Sequence, residues 1–304
     1  MYDASPVFLS RMNALLGVVL ILLCVPAVTF AQTYTVDTSN NISRSMGDDL
    51  SPAWSPDGNK ILYQSNRNGN WDIFMYDMVL DTTVQITYDT INEQNPGWYP
   101  DSDLIYFDAG RGEKRYLYKL NPETGVSSPV FTRKISCKDA SFTPDGRMMY
   151  FLGYEDRTKK WELFSYHFIY DNLNQLTDNK QNILFLDIST DAKSVLYGYE
   201  TYPYPYQRLR IINWYGEQQE EFDKYNISVA VWHPVGLKIY FVSDKDNLSA
   251  EIYSIWRDGT HLKRLTESKR KIKELAVAPD GSTVACAVSI NGNSEIIIIS
   301  PEVY

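Results

Sequence analysis

Histidine and cysteine are both scarce in this 304-residue chain, at three residues each. His167, His233 and His261 have no spacing suited to shared metal ligation, so each is expected to pack or lie at the surface, and no metal or cofactor is expected. No Gly-x-Ser-x-Gly string occurs, which removes the nucleophile elbow of the α/β-hydrolases. Basic residues are outnumbered, 29 Lys and Arg against 38 Asp and Glu, and a net charge of -9 argues against a nucleic acid partner. Long apolar runs are confined to Leu15–Phe30, and nothing after residue 31 reads as a linker, a low-complexity tail or an extended amphipathic helix.

What the chain does have is a repeat. Ser51-Pro-Ala-Trp-Ser-Pro-Asp-Gly58 returns in degraded form five more times. With the proline before the turn as marker, the copies fall at Pro56, Pro100, Pro144, the equivalent Thr190, Pro234 and Pro279, at intervals of 44, 44, 46, 44 and 45 residues. That period is the length of one four-stranded propeller blade, so six markers predict six blades. Two residues before each marker stand Trp54, Trp98, Phe142, Ile188, Trp232 and Val277; four before stand Pro52, Pro96, Ala140, Leu186, Ala230 and Leu275. Residues two apart share a strand face, so these mark the innermost strands, with a large side chain wedged between blades and a smaller one nearer the axis. Pro-Asp-Gly then supplies a turn, which gives the aspartates a structural task.

Second strands follow as Lys60–Tyr63, Leu104–Phe107, Arg147–Tyr150, Ser194–Tyr197, Lys238–Phe241 and Thr283–Cys286. Third strands read Ile73–Tyr76, Leu117–Leu120, Leu163–Tyr166, Leu209–Ile212, Ile252–Ile255 and Ile296–Ile299. Their β-branched and aromatic bias predicts an all-β, six-bladed propeller of four-stranded antiparallel blades over residues 32–304, with tyrosine used mainly in packing. Fourth strands end in an apolar-hydroxyl pair at Ile86-Thr87, Phe131-Thr132, Leu176-Thr177 and Leu265-Thr266, with Phe222-Asp223 as the outlier. Blade six has none; the missing pair is Ile42-Ser43, so the N-terminal strand Tyr34–Ser43 is expected to close the ring and cover an aggregation-prone edge. Cys137 and Cys286 then fall on opposite sides of that ring, too far apart to bridge, and are expected as buried free thiols.

Residues 1–31 read as a secretory signal peptide. Thr29-Phe-Ala31 has the small-x-small form of a cleavage site, and an uncleaved membrane anchor is the competing reading. Periplasmic or secreted location is therefore expected, with membrane contact only through that segment.

The string Ser51–Gly69, followed by Asp72-Ile-Phe74 and Gln85-Ile-Thr87, resembles the repeat of TolB-type β-propellers, and the likeness covers residues 34–304. TolB is a periplasmic component of the Tol-Pal envelope system whose propeller binds the peptidoglycan-associated lipoprotein. The resemblance implies a non-catalytic, exported binding scaffold for an envelope protein, which could be of the peptidoglycan-associated lipoprotein kind. TolB carries an α/β domain ahead of its propeller, whereas here the blade motifs begin at Ser51. Some propellers are polysaccharide lyases or glycosidases with acids converging on the axis; that is the enzymatic alternative.

Function is expected on the rim formed by the loops between second and third strands and between blades. Marker-to-strand counts make the blade-three and blade-four loops the enlarged ones. The first supplies Arg157, Lys159, Lys160 and Trp161, the second Tyr202, Tyr204, Tyr206 and Arg208, with Pro203 and Pro205 between the tyrosines. Rigid tyrosines with arginine dominate binding hot spots, and Arg133 and Lys134 add positive charge suited to an anionic partner.

Overall fold

The computed structural model describes residues 33–301 except 101, 179–180, 204–205 and 247–248. The first 31 residues, and with them the signal-peptide reading, lie outside the described residues.

Six antiparallel sheets succeed one another along the chain, each built from consecutive strands in simple order. Blade one comprises Asp49–Trp54, Lys60–Ser65, Asp72–Asp77 and Thr82–Gln85; blade two Asn92–Trp98, Ile105–Arg111, Lys114–Leu120 and Ser127–Pro129. Blade three comprises Cys137–Phe142, Met148–Glu155, Lys160–His167 and Asn172–Gln175; blade four Ile183–Ile188, Ser194–Glu200, Gln207–Asn213 and Gln218–Phe222. Blade five comprises Ile227–Trp232, Lys238–Ser243, Glu251–Trp256 and Lys263–Arg264, and blade six Ile272–Val277, Val284–Ile290 and Asn293–Ile299. The predicted all-β six-bladed propeller is thus the observed fold.

The turn chemistry follows the sequence. Asp57, Asp145, Asp191 and Asp280 accept the N–H two residues on, at 3.1, 3.1, 3.0 and 2.9 Å. Gly58, Gly146 and Gly281 sit at φ of 74°, 64° and 76°, where a side chain is disfavoured. Blade four, which lost the motif, forces Ala192 to 56° in the same turn.

Each innermost strand is broken by a bulge at nearly the same level. In blades one and two the ladder skips from Leu50 to Ala53 and from Gln94 to Gly97. Pro52 and Pro96, which lack an N–H to donate, occupy these gaps. Ser51, Asn95 and Asp139 take φ of 52°, 51° and 53° there, which turns their side chains out of the pleat. The six residues four before the markers all line the central cavity, as expected.

Neighbouring blades are locked by the wedge residues. The Trp54 indole N–H donates to the Ala276 carbonyl and that of Trp98 to the Ala53 carbonyl, both at 3.1 Å. Tyr63, Tyr150, Tyr197, Tyr199, Tyr240 and Tyr253 are fully buried, each worth roughly 1.5–3 kcal/mol of apolar burial. Both cysteines are free and buried.

Fourth strands end in a recurring polar clamp. The hydroxyls of Thr87, Thr177, Thr266 and Ser43 accept the N–H of Ile73, Leu163, Ile252 and Ile296, all at 2.9 Å. Three of them donate in turn to a strand-three acid: Thr177 to Glu162 at 2.5 Å, Thr266 to Glu251 at 2.6 Å and Ser43 to Glu295 at 2.9 Å. Ring closure is this clamp formed between the two ends of the propeller, with an Asn41–Ile297 bridge beside it. The expected continuous strand over Tyr34–Ser43 is interrupted, however. Tyr34–Thr35 pairs in parallel with Thr266–Glu267, and Thr38–Asn40 forms a 3-10 turn capped by Asp37. In blade two the expected Phe131-Thr132 pair is displaced by one residue: Val130 donates to Leu117, so Phe131 stands at the clamp position.

Candidate functional site

The axial cavity of about 390 Å³ is the first place to look, because all six inner strands contribute to it. Its lining is divided. Blades six, one, two and three present Lys273, Glu274, Ser51, Asn95, Lys138 and Asp139, while blades four and five present chiefly Leu184, Phe185, Leu186 and Val229. The polar side is wired together: the Ser51 N–H donates to Glu274, the Ser51 hydroxyl to Asn95 Oδ1 at 3.4 Å, and Asn95 Nδ2 to Asp108 at 2.7 Å. Asp108 is fully buried and ion-paired with Arg115. Asp187 accepts the N–H groups of Trp232 and Ile188 at 2.8 and 2.9 Å.

Enclosure by six strands pushes the Asp139 carboxyl up to about 7, against the pull of Lys138 and helped by Asp108, Glu274 and Asp187. Asp187 is raised to about 7 by burial against its two N–H bonds, and Glu274 is raised by burial against its bond from Ser51. Near neutral pH the channel therefore offers a proton-holding carboxyl beside a lysine and opposite an apolar wall. Sequence reading missed Asp139 and Glu274. Their signal is the position five before the marker, which reads Ser51, Asn95, Asp139, Phe185, Val229 and Glu274 and is polar in only four blades.

Of the predicted rim residues, Trp161 and Tyr206 come to this channel through their neighbours Lys138 and Gln207. Lys138 lines the cavity and its Nζ lies 4.7 Å from the Trp161 ring, which meets Tyr154 edge-on at 5.2 Å. Gln207, next after Tyr206, also lines the cavity. The 201–206 loop is pinned at its base by two bonds to the Tyr206 carbonyl, from the Thr201 N–H at 3.0 Å and its hydroxyl at 3.1 Å, and by the Gln207 N–H to Asn226 Oδ1 at 3.0 Å. Tyr202 is 97% exposed and Tyr206 58%; Tyr204 lies outside the described residues.

The other cations are dispersed. Arg157 pairs with Asp178 at 3.4 Å and Lys159 with Asp156 at 3.0 Å, both exposed, while Lys160 is half-buried in the strand. Arg208 is half-buried at the strand position that holds Glu162 and Glu251 elsewhere. Arg133 is held by Asp171 at 3.0 Å, in the turn at the far end of blade three from the 156–159 turn. Lys134 is exposed beside it.

Loop sizes differ from the expectation of enlarged blades three and four. Strands two and three of blade three are eight residues each, so its extra length extends the hairpin and leaves a four-residue turn at 156–159. The longest such connection is in blade five, at 244–250, and blade one matches blade four. Marker-to-strand counts cannot separate a longer strand from a longer loop. Each histidine has a packing partner: His167 beside Tyr170, His233 beside Tyr240, and His261 stacked on Trp256 at 4.3 Å. No helix among the described residues is long and apolar enough to cross a membrane.

Five four-stranded sheets and a sixth of three strands, with Pro-Asp-Gly turns in blades one, three and six, define a β-propeller of the kind whose ring is closed by its own N-terminal segment. The family model of the TolB beta propeller domain matches residues 25–231, and the chain belongs to that family. Among solved structures, TolB from Acinetobacter baumannii is similar at a TM-score of 0.60 and 21% identity, over 71% of this chain but only 53% of its own. The putative TolB from Agrobacterium tumefaciens gives 0.62 at 16% identity, covering 85% of this chain and 92% of that one. An oligogalacturonate lyase in complex with manganese gives 0.59 at 16%, covering 89% and 81%. A search of curated proteins finds no match.

Proposed function

We propose that the chain is an exported, non-catalytic platform of the cell envelope that holds a protein partner against the channel mouth on the side of blades three and four. One observation carries this reading. Tyr202 is almost fully exposed on a loop tied down at its base, beside the cavity that Gln207 and Lys138 line. A rigid aromatic side chain on a fixed loop loses little conformational freedom when it binds, which is how interface anchors work. Membership of the TolB propeller family supports an envelope protein as the partner. Retention of an envelope protein by immobilised chain, and its loss with a folded Tyr202→Ser, Tyr204→Ser, Tyr206→Ser variant, is the expected result. Retention unaffected by the triple change would move the surface elsewhere.

The channel acids favour a second reading, a glycan-cleaving enzyme with Asp139 as proton donor, Lys138 beside it and Lys273 lining the same cavity. Cleavage of an acidic polysaccharide, abolished by Asp139→Asn, would replace the platform reading.

A further inference from the structure

Blade two departs from the repeat at one place, and a groove opens there. The clamp joins two positions, the first residues of strand three and the end of strand four. They are bonded as Glu162 and Thr177 in blade three, Glu251 and Thr266 in blade five, and Glu295 and Ser43 in blade six, while blade one places Asp72 and Thr87 there with only the Ile73 N–H bond to the hydroxyl. Blade two has Tyr116 and Phe131 instead. The Leu117 N–H, on the side that a hydroxyl takes in blades one, three, five and six, faces the Cys137 thiol instead. Both aromatic rings are thereby released from the clamp's polar task. The crossing to blade three stands off from the strand edge and leaves a groove of about 540 Å³ lined by Tyr116, Tyr118, Pro129, Phe131 and Ile135.

Its rim is basic. Arg133 and Lys134 belong to the lining, and Lys114 lies on the Tyr116 and Tyr118 face of strand three, where residues two apart point the same way. Lys134 and Lys114 are exposed and form no ion pair among the described residues, while Arg133 is shared with Asp171. Tyr116 is 40% exposed. On a chain of net charge -9, a cation-rimmed aromatic slot selects against most of the protein's own surface and for an acidic ligand.

We infer that this groove docks an extended segment of a protein partner in which an apolar side chain is flanked by acidic residues. The apolar side chain fills the slot against Tyr116 and Phe131, and the acids face Lys134, Arg133 and Lys114. The inference rests on the chain being a binding platform but not on the blade-four loop, so the two surfaces fail separately.

A fluorescein-labelled heptapeptide with a central phenylalanine flanked by aspartates and glutamates is the probe, titrated against the full chain by anisotropy. Its lysine-flanked counterpart and a version with serine in place of phenylalanine are the controls. The acidic peptide should bind at least tenfold more tightly than either, with affinity falling as salt rises. Lys134→Glu and Tyr116→Ser should each weaken it about tenfold, while Tyr202→Ser leaves it unchanged. Amide exchange on the parent protein, which needs no variant to fold, should show protection of 114–118 and 131–135 by the peptide. Equal binding of the three peptides, absence of binding at millimolar peptide, or protection elsewhere would overturn the inference. So would concentration-dependent dimerisation that Tyr116→Ser abolishes, which would assign the groove to a second copy.

Discussion

Glu93 sits where blade one meets blade two, 4% exposed, with its Oε2 unbonded among the described residues. Burial raises its carboxyl from the ordinary 4.5 to about 7; Asp89 and Asp72 add to the rise and a bond from Thr87 opposes it. The folded chain therefore holds this proton more tightly than the unfolded chain does. The resulting stability is fully present below the unfolded value and is lost as pH rises through about 7. Glu93→Gln, which stays neutral, should shrink the fall in stability across this range by on the order of 1–2 kcal/mol, after discounting for screening. Urea midpoints measured at several pH values would show it, and parallel curves for parent and variant would refute it. Asp139 and Asp187 shift in the same direction, so the parent's slope should be reduced rather than removed. None of these acids was legible in the sequence. Their behaviour arises from how the blades enclose them, side by side for Glu93 and around the axis for Asp139, and a single chain reading registers each blade separately.

The hydroxyl that ends the fourth strand in blades one, three, five and six was legible, but its purpose was not. Thr266 accepts the Ile252 N–H and donates to Glu251, which also takes the Ser268 N–H at 2.7 Å and pairs with Arg264 at 3.4 Å. Thr266→Val keeps the shape while leaving one buried N–H without an acceptor and one carboxylate oxygen without a donor. A loss of about 1–3 kcal/mol is expected, with Thr266→Ser close to the parent. Chemical denaturation of the three proteins decides it; a valine variant as stable as the parent would make the hydroxyl incidental. The apolar-hydroxyl pattern showed where each strand ends, since chemistry and position coincide in four blades. It misled by one residue at Phe131-Thr132, where Val130 rather than Phe131 donates to the Leu117 carbonyl. Similarly, the tyrosines of the blade-four loop stood out as a run of alternating proline and tyrosine, and the structure places Tyr202 and Tyr206 in solvent. The basic residues around them looked like one rim, but charge in sequence says nothing of which acid lies within reach, and Arg133, Arg157 and Lys159 each found one.

For the ring as a whole, everything depends on a seam made by three residues near one end of the chain. Asn41 bridges Ile297, Ile42 donates to the Ile296 carbonyl at 2.9 Å and packs among Ile61, Ala285 and Ile296, and Ser43 clamps Ile296 to Glu295. Without them the outer edge of strand Asn293–Ile299 is open, and Glu295 loses the Ser43 and Asn41 groups bonded to it. An exposed strand edge with unbonded main-chain groups is a template for pairing with another chain. Each orphaned buried group costs roughly 1–3 kcal/mol, so a loss of about 3 kcal/mol is a modest expectation, equivalent to about 6–12 °C in melting temperature for a domain of this size. The chain lacking Gln32–Ser43 should therefore melt that much lower and self-associate as it is concentrated. The substitution Ser43→Ala alone, which keeps the backbone in place, should cost only the clamp and leave the protein monomeric. Size-exclusion chromatography and thermal melts of both proteins separate the two effects. A truncated chain that stayed monomeric with an unchanged melting temperature would mean that blade six is sealed by its own three strands and that the N-terminal segment merely lies against it.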